Sequence, residues 1–401
     1  MISVCLYFQV HQPFRLRRDY NFFKIGRDHQ YEDPDFARQM ICQVAERCYL
    51  PANALLLELI RRHEGEFRVC FSLTGTVIEQ LRDYAPAALA GFQQLAATGQ
   101  VELLDETYYH ALAFLYSRDE FRAQVAQHRQ LMKDLFDCEP TCFRNTELIY
   151  NNDLAREVEA LGYQAVLTEG ANQILGWRSP NFVYQPAPSY KLKLLLNNYR
   201  LADDLAFRFA DRGWDQYPLT PAKYAGWIHR VAGNGEVVNL FLDYGTFGER
   251  QAADTGIFEF LRGLPAAVLA RPDFGFRTPS EVAAAHQPMA KIDVPHTISW
   301  ADVERDLTAW VGNPMQDSAL EYLYSLREPV LNSGDDDLIR AWQHLQSSDH
   351  FYYMCTKWFS DGDVHRYFNP FASPHDAYVV YINVLNDIQE RLRRLGKAGK
   401  K

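Results

Sequence analysis

The run Cys142-Phe143-Arg144-Asn145-Thr146-Glu147-Leu148-Ile149-Tyr150 passes from apolar to polar and places an arginine, an asparagine and a glutamate at its end, just before a helical pattern near Asn152-Asp153. α/β enzymes draw acids, bases and nucleophiles from such strand ends. Asp243 closes the apolar run Val237–Leu242 in the same way. Two carboxylates flanking one bond can act as nucleophile and general acid in glycoside cleavage; retention needs them about 5–5.5 Å apart and inversion a wider gap. A barrel-mouth salt bridge between Glu147 and Arg144 is the plainer reading of the same glutamate. His11 and His110, with carboxylates at other strand ends, offer a competing zinc chemistry, since two histidines and a carboxylate suffice. The sequence has no HExxH helix, no GxSxG elbow and no phosphate-binding glycine loop.

Those residues need a scaffold that brings strand ends together. Apolar runs at 2–10, 67–73, 101–105, 142–150, 165–167, 191–196 and 237–242 read as strands. Helical patterns separate them at 35–63 (interrupted at Pro51), 76–83, 86–98, 117–136, 152–161 and 221–232, and continue near 255–270 and 280–286. Ser117 with Glu120 forms a capping-box pattern. This alternation implies a parallel sheet with right-handed crossovers, and a closed barrel is its natural solution over about 290 residues. His11, Glu102 or Asp105, Glu147, Glu169, Asp203 or Asp204, and Asp243 then fall at the carboxyl ends of strands, where barrel enzymes hold their chemistry. From about residue 290 strands give way to helical stretches near 301–311, 316–327, 335–348 and 373–395. The expected organisation is a barrel over 1–290 and a helical domain over 291–401.

A net charge of −10 argues against nucleic acid or an anionic membrane as partner and favours a neutral polar substrate. Aromatic residues make up 14% of the chain, which suits a sugar-stacking cleft and equally a large core. Seven scattered cysteines without a CxxC pair suggest reduced thiols in the cytoplasm. No apolar run approaches 18 residues and the N-terminus has no charged leader, so neither a membrane span nor a secretory signal is expected. Nothing in the sequence sets the oligomeric state.

The densest polar and aromatic patch is Ser347-Ser348-Asp349-His350-Phe351-Tyr352-Tyr353-Met354 with Trp358-Phe359-Ser360-Asp361-Gly362-Asp363-Val364-His365. Asp349 and His350 could close a subsite over the barrel mouth, with Trp177, Trp300 and Trp358 as stacking platforms. A domain interface would use the same residue types.

Taken in order, these segments resemble the family 57 glycoside hydrolases, a group of α-amylases, 4-α-glucanotransferases, branching enzymes and amylopullulanases. His11-Gln12-Pro13 is similar to the first motif and Gly99-Gln100-Val101-Glu102-Leu103 to the second. Arg144-Asn145-Thr146-Glu147-Leu148-Ile149-Tyr150 resembles the nucleophile motif and Phe241-Leu242-Asp243-Tyr244-Gly245-Thr246-Phe247-Gly248-Glu249 the acid motif. The patch at 348–354 and 361–365 is similar to the α-amylase-like branch. The resemblance implies an incomplete (β/α)7 barrel followed by a C-terminal helical domain that completes the cleft. It also implies retaining cleavage of α-1,4-glucans or maltooligosaccharides with no metal or other cofactor, Glu147 as nucleophile and Asp243 as acid/base in a partly desolvated site. His11, Gln12, Glu102, His110, Asp349, His350, Trp177, Trp300 and Trp358 would then bind substrate. Relatives carry glutamate two positions after the acid, where this chain has Gly245. A glucanotransferase, a branching-type transferase or a catalytically weak glucan-binding homologue are the alternatives.

Overall fold

The apolar runs of the first 290 residues are covered on both faces, which is why they read as unbroken hydrophobic stretches instead of alternating ones. The computed structural model describes residues 1–187, 189, 191–357 and 369–398. Its strands are β1 (Ile2–Val10), β2 (Val69–Leu73), β3 (Val101–Leu103), β4 (Cys142–Arg144), β5 (Ala165–Glu169), β6 (Gln185–Pro186), β7 (Lys193–Asn197), β8 (Val237–Asp243), β9 (Phe274–Phe276) and β10 (Lys291–Ile292). The main sheet runs β3-β2-β1-β8-β7-β5-β4, every pair parallel, with β9 also against β1; β6 and β10 pair separately.

The sheet curls until its edges meet. Asp105, just beyond β3, bridges Phe143 of β4: the Asp105 N–H donates to the Cys142 carbonyl (3.0 Å) and the Arg144 N–H to the Asp105 carbonyl (2.9 Å). Seven parallel strands thus form the expected incomplete barrel. Alternation along β1 divides the core. Val4, Leu6, Phe8 and Val10 pack outward among the surrounding helices, whereas Cys5 and Tyr7 pack inward with Cys70, Cys142, Leu195 and Phe241. All seven cysteines are free thiols.

The expected capping box forms by half. Ser117 Oγ accepts the Glu120 N–H (3.3 Å), but the Glu120 carboxylate turns away to Gln124, Gln346 and Arg327, tying the barrel to the C-terminal region. That region comprises the helices Pro314–Ser325, Arg327–Leu331, Asp336–His344, Ser348–Tyr352 and Pro374–Ala398 around a core that includes Trp310, Trp342, Phe351 and Tyr381. The helix expected at 301–311 is absent. Asp302 (φ 58°) and Arg305 (φ 50°) adopt left-handed backbone. The Arg305 guanidinium donates to the Trp300 carbonyl, and Asp306 Oδ1 accepts from the Thr308 amide and hydroxyl, so local side-chain bonds replace the helical ladder. Among the described residues, no helix is long and apolar enough to cross a membrane.

Gly170 marks a close approach at the barrel mouth. A Cβ there would run into the Asn197 carbonyl and sit 3.1 Å from Pro180 Cβ, pushing β5 from β7. Gly170→Ala is expected to lower stability by about 1–3 kcal/mol, read from urea unfolding midpoints.

Candidate active site

β4 ends at Arg144 and the chain turns through Thr146–Leu148 with Glu147 (φ 57°) and Leu148 (φ 51°) in left-handed backbone. Such conformations cost free energy in non-glycine residues and persist where surrounding contacts impose them. Here the contacts are plain. Glu147 Oε1 accepts from Ser348 Oγ (2.7 Å) and lies 3.3 Å from His110 Nε2; Oε2 accepts from Trp300 Nε1 (2.7 Å). The Trp300 amide also donates to the Glu147 carbonyl (3.4 Å). With 14% of its side chain exposed, Glu147 would be driven towards the neutral form by burial, but the hydrogen bond and charge of His110, together with Arg144, outweigh this and hold its pKa below the usual value.

His110, itself left-handed (φ 54°), sits between two glutamates, its Nδ1 3.2 Å from Glu106 Oε2. Burial opposes its charge, yet Glu106 and Glu147 raise it to about 9. Glu106 is lowered to about 2 because His110, Arg144 and His128 overcome its burial. Gln9 Nε2 donates to Glu106 Oε1 (3.2 Å). The result is an ion group in which a histidine cation fixes the charge and direction of Glu147.

His11 stacks on His110 (ring centroids 4.0 Å, planes 24° apart) and hydrogen-bonds with Thr74 Oγ1 (2.9 Å) and Asp349 Oδ2 (2.8 Å). Burial and the neighbouring His110 charge lower its pKa. Gln12 lines the same cleft, its Oε1 accepting from Arg15 (2.9 Å). The short helix Ser348–Tyr352 supplies Ser348 and Asp349 from the C-terminal region and is fixed there by the Ser348 N–H to His110 carbonyl bond (2.9 Å).

Asp243 closes β8 opposite Gln9 of β1, so both side chains face the barrel interior at its mouth. It is the one exposed residue of that strand, so the cleft desolvates it less than it does Glu147. Its Oδ1 accepts the Gly245 N–H (2.7 Å), and a Cβ at 245 would lie 2.9 Å from that oxygen. The cleft joins Asp243 to Glu147, with Glu169, Glu249, Trp300 and Arg305 among its other walls.

Three expected substrate contacts lie elsewhere. Glu102 pairs with Cys70 within the short β3, below the mouth, and its Oε2 accepts from the amide and hydroxyl of Ser280 (both 2.9 Å). It caps the helix Pro279–Ala285; Glu106, four residues on, is the carboxylate that reaches the ion group. His350 is one helical residue, about 100°, past Asp349, which turns it into the C-terminal core beside Tyr381. Burial there lowers its pKa to about 4. Trp177 stands 92% exposed outside the cleft lining, with Arg178 over its ring. Trp300 does line the cleft, while Trp358 and the 361–365 motif fall outside the described residues. Among the described residues no three His, Cys, Asp or Glu side chains are grouped to hold a metal; the two candidate histidines stack on each other instead. Glu106 and Ser348 were not foreseen as site residues, although Ser348 belongs to the polar patch and Glu106 follows a strand end.

The charged His110 makes stability depend on pH. A folded pKa of about 9 above an unfolded value of about 6.5 means that its contribution is complete below about pH 6.5 and lost as pH rises through about 9. The melting temperature is therefore expected to fall across that window, and His110→Gln to flatten the fall.

The sequence pattern of Glycosyl hydrolase family 57 matches residues 5–295. A protein of Methanocaldococcus jannaschii named "Putative alpha-amylase" is 42% identical over 399 residues, covering 97% of this chain and 84% of that protein. The crystal structure of a GH57-type branching enzyme from Pyrococcus horikoshii superposes with TM-score 0.67 at 14% identity, covering 98% of this chain and 94% of that one. That of a 4-alpha-glucanotransferase from Thermococcus litoralis gives TM-score 0.67 at 13% identity over 87% of this chain, which spans only 56% of it.

Proposed function

The chain belongs to Glycosyl hydrolase family 57, and from that premise we propose that it is a retaining, α-amylase-like enzyme cleaving α-1,4-glucosidic bonds of α-glucans or maltooligosaccharides. The observation that carries this reading is Glu147: a carboxylate kept ionised in a largely buried position, with both oxygens oriented, on the same cleft as Asp243.

Glu147 attacks the anomeric carbon as the glycosidic bond breaks, and Asp243 gives its proton to the departing oxygen. A glycosyl ester on Glu147 results. Asp243, now a carboxylate, takes the proton of an incoming water, whose oxygen displaces Glu147 from the anomeric carbon. His110, Ser348 and Trp300 orient the nucleophile, and His11, Gln12 and Asp349 meet sugar hydroxyls beside it. A bound glucan supplies the desolvation that the open cleft leaves incomplete at Asp243.

Residues 1–290 act as the catalytic barrel and 291–401 as the part that completes the cleft, a division supported by Trp300, Ser348 and Asp349 reaching Glu147 and His11. The free thiols suit a cytoplasmic enzyme of carbohydrate metabolism.

If a sugar hydroxyl replaces water in the second step, the same groups perform 4-α-glucanotransfer or branching. Incubation with maltooligosaccharides and amylose tests the proposal. New short chains with new reducing ends support hydrolysis, and a redistributed ladder without them supports transfer. Tight binding with an unchanged ladder would overturn the catalytic reading and leave a glucan-binding homologue, to which Gly245 beside the acid would be the pointer.

A further inference from the structure

Trp300 holds Glu147 twice, by its indole and by its backbone amide. Trp300 packs edge-on against Trp310 (ring centroids 6.3 Å) and is held through its carbonyl by Arg305, five residues on in the left-handed turn that replaces the expected helix. Its guanidinium lies across the Tyr199 ring (4.4 Å from the centroid). Its NH1 donates to the Trp300 carbonyl, and its NH2 donates to Asp203 Oδ2 (3.3 Å) on the helix Tyr199–Ala206. The same NH1 lies 4.0 Å from Glu169 Oε2 at the carboxyl end of β5. Only 12% of the Arg305 side chain is exposed.

We propose that Arg305 is a positioning residue for Glu147, acting through Trp300, and that the charge on Glu169 sets how firmly it acts. The proposal rests on the reading of Glu147 as the reacting carboxylate. A planar guanidinium that donates to a carbonyl and a carboxylate at once has its orientation set by both partners, so Arg305 ties Trp300 to Asp203 on the neighbouring helix.

Glu169 is 1% exposed; its oxygens accept from the Gly170 amide (2.8 Å) and Asn197 Nδ2 (3.3 Å). The charged groups facing it are Arg305 from the 299–306 turn and Asp203 from the helix, with neutral Asn197 from β7. Burial raises its pKa to about 7, against the lowering pull of Arg305, which Asp203 partly offsets, and of the Asn197 and Gly170 hydrogen bonds. While Glu169 is protonated, NH1 serves Trp300 alone. Once it ionises, a second carboxylate competes for that nitrogen and draws it from the Trp300 carbonyl.

The test compares Arg305→Met, Arg305→Lys and Glu169→Gln with the wild type, each first checked for an intact cooperative melt. On maltoheptaose, Arg305→Met is expected to lower kcat by about tenfold or more while KM changes less than about threefold, with partial recovery in Arg305→Lys. The part of the kcat loss that follows Glu169 ionisation, near pH 7, should disappear in Glu169→Gln. In parallel, the Trp300 indole N–H resonance, assigned by its loss in Trp300→Phe, should shift in Arg305→Met. It should titrate near pH 7 in the wild type and not in Glu169→Gln. Wild-type kcat in Arg305→Met, or an indole resonance indifferent to both substitutions, overturns the proposal. If the wild type turns over no glucan, the enzymatic reading fails, and the resonance still decides the coupling of Arg305 to Trp300.

Discussion

Glu147→Gln is expected to lower kcat on maltooligosaccharides by about ten-thousand-fold or more, a loss of about 5.5 kcal/mol in transition-state stabilisation. Glutamine keeps the length of the side chain and the left-handed turn that carries it, so the change is chiefly chemical. It removes the electron pair that must bond to the anomeric carbon. It also places an amide NH2 against one of two donors, Ser348 Oγ or Trp300 Nε1, both of which now donate to carboxylate oxygens. His110 loses one of the two anions that keep it charged, so its pKa should fall in the variant. Substrate affinity, measured by calorimetry, should change by less than about tenfold, because the remaining cleft walls are intact. Reducing-sugar release at the wild-type rate would sink the assignment of Glu147 as nucleophile.

Glu147 was legible in the sequence because two independent signals fall on it: the end of a buried apolar run and an ordered family motif. Asp243 and His11 share that double mark. The barrel was legible for a related reason, since parallel strands covered on both faces leave unbroken apolar runs. The errors arise where one residue of phase decides the outcome. β3 spans only Val101–Leu103, so its second residue, Glu102, reads as an end when it is an interior position, and the carboxylate at the mouth is Glu106. Asp349 and His350 are neighbours of equal promise in sequence, and the rotation of a short helix sends one to the cleft and the other to the core. The 301–311 segment has helical composition, yet Arg305 and Asp306 bond locally to backbone and side-chain groups and hold turns there. Trp177 shows the limit of residue type as a guide, because nothing in a tryptophan announces whether the fold will turn it towards a sugar or leave it in solvent.

Asp243→Asn should separate the two chemical steps, and the separation is the sharper test of an acid that stands exposed beside a glycine. With maltooligosaccharides the departing oxygen is a poor leaving group and needs a proton as the bond breaks. Loss of the acid is therefore expected to lower kcat by about a hundred- to ten-thousand-fold. With an aryl α-maltooligoside whose phenol leaves without protonation, the first step should proceed nearly as in the wild type. The second step still lacks its base, so the aryl substrate should give a burst of phenol equal to the enzyme present, followed by slow turnover. Azide attacks without needing a base and should restore steady turnover on the aryl substrate, yielding a glycosyl azide of retained configuration. The substituted side chain keeps a carbonyl oxygen for the Gly245 amide, so a folding defect would not mimic this pattern. If both substrates lose rate in the same proportion and azide restores neither, Asp243 is not the acid/base, and the buried Glu169 of the same cleft, with its pKa raised to about 7, becomes the residue to replace next.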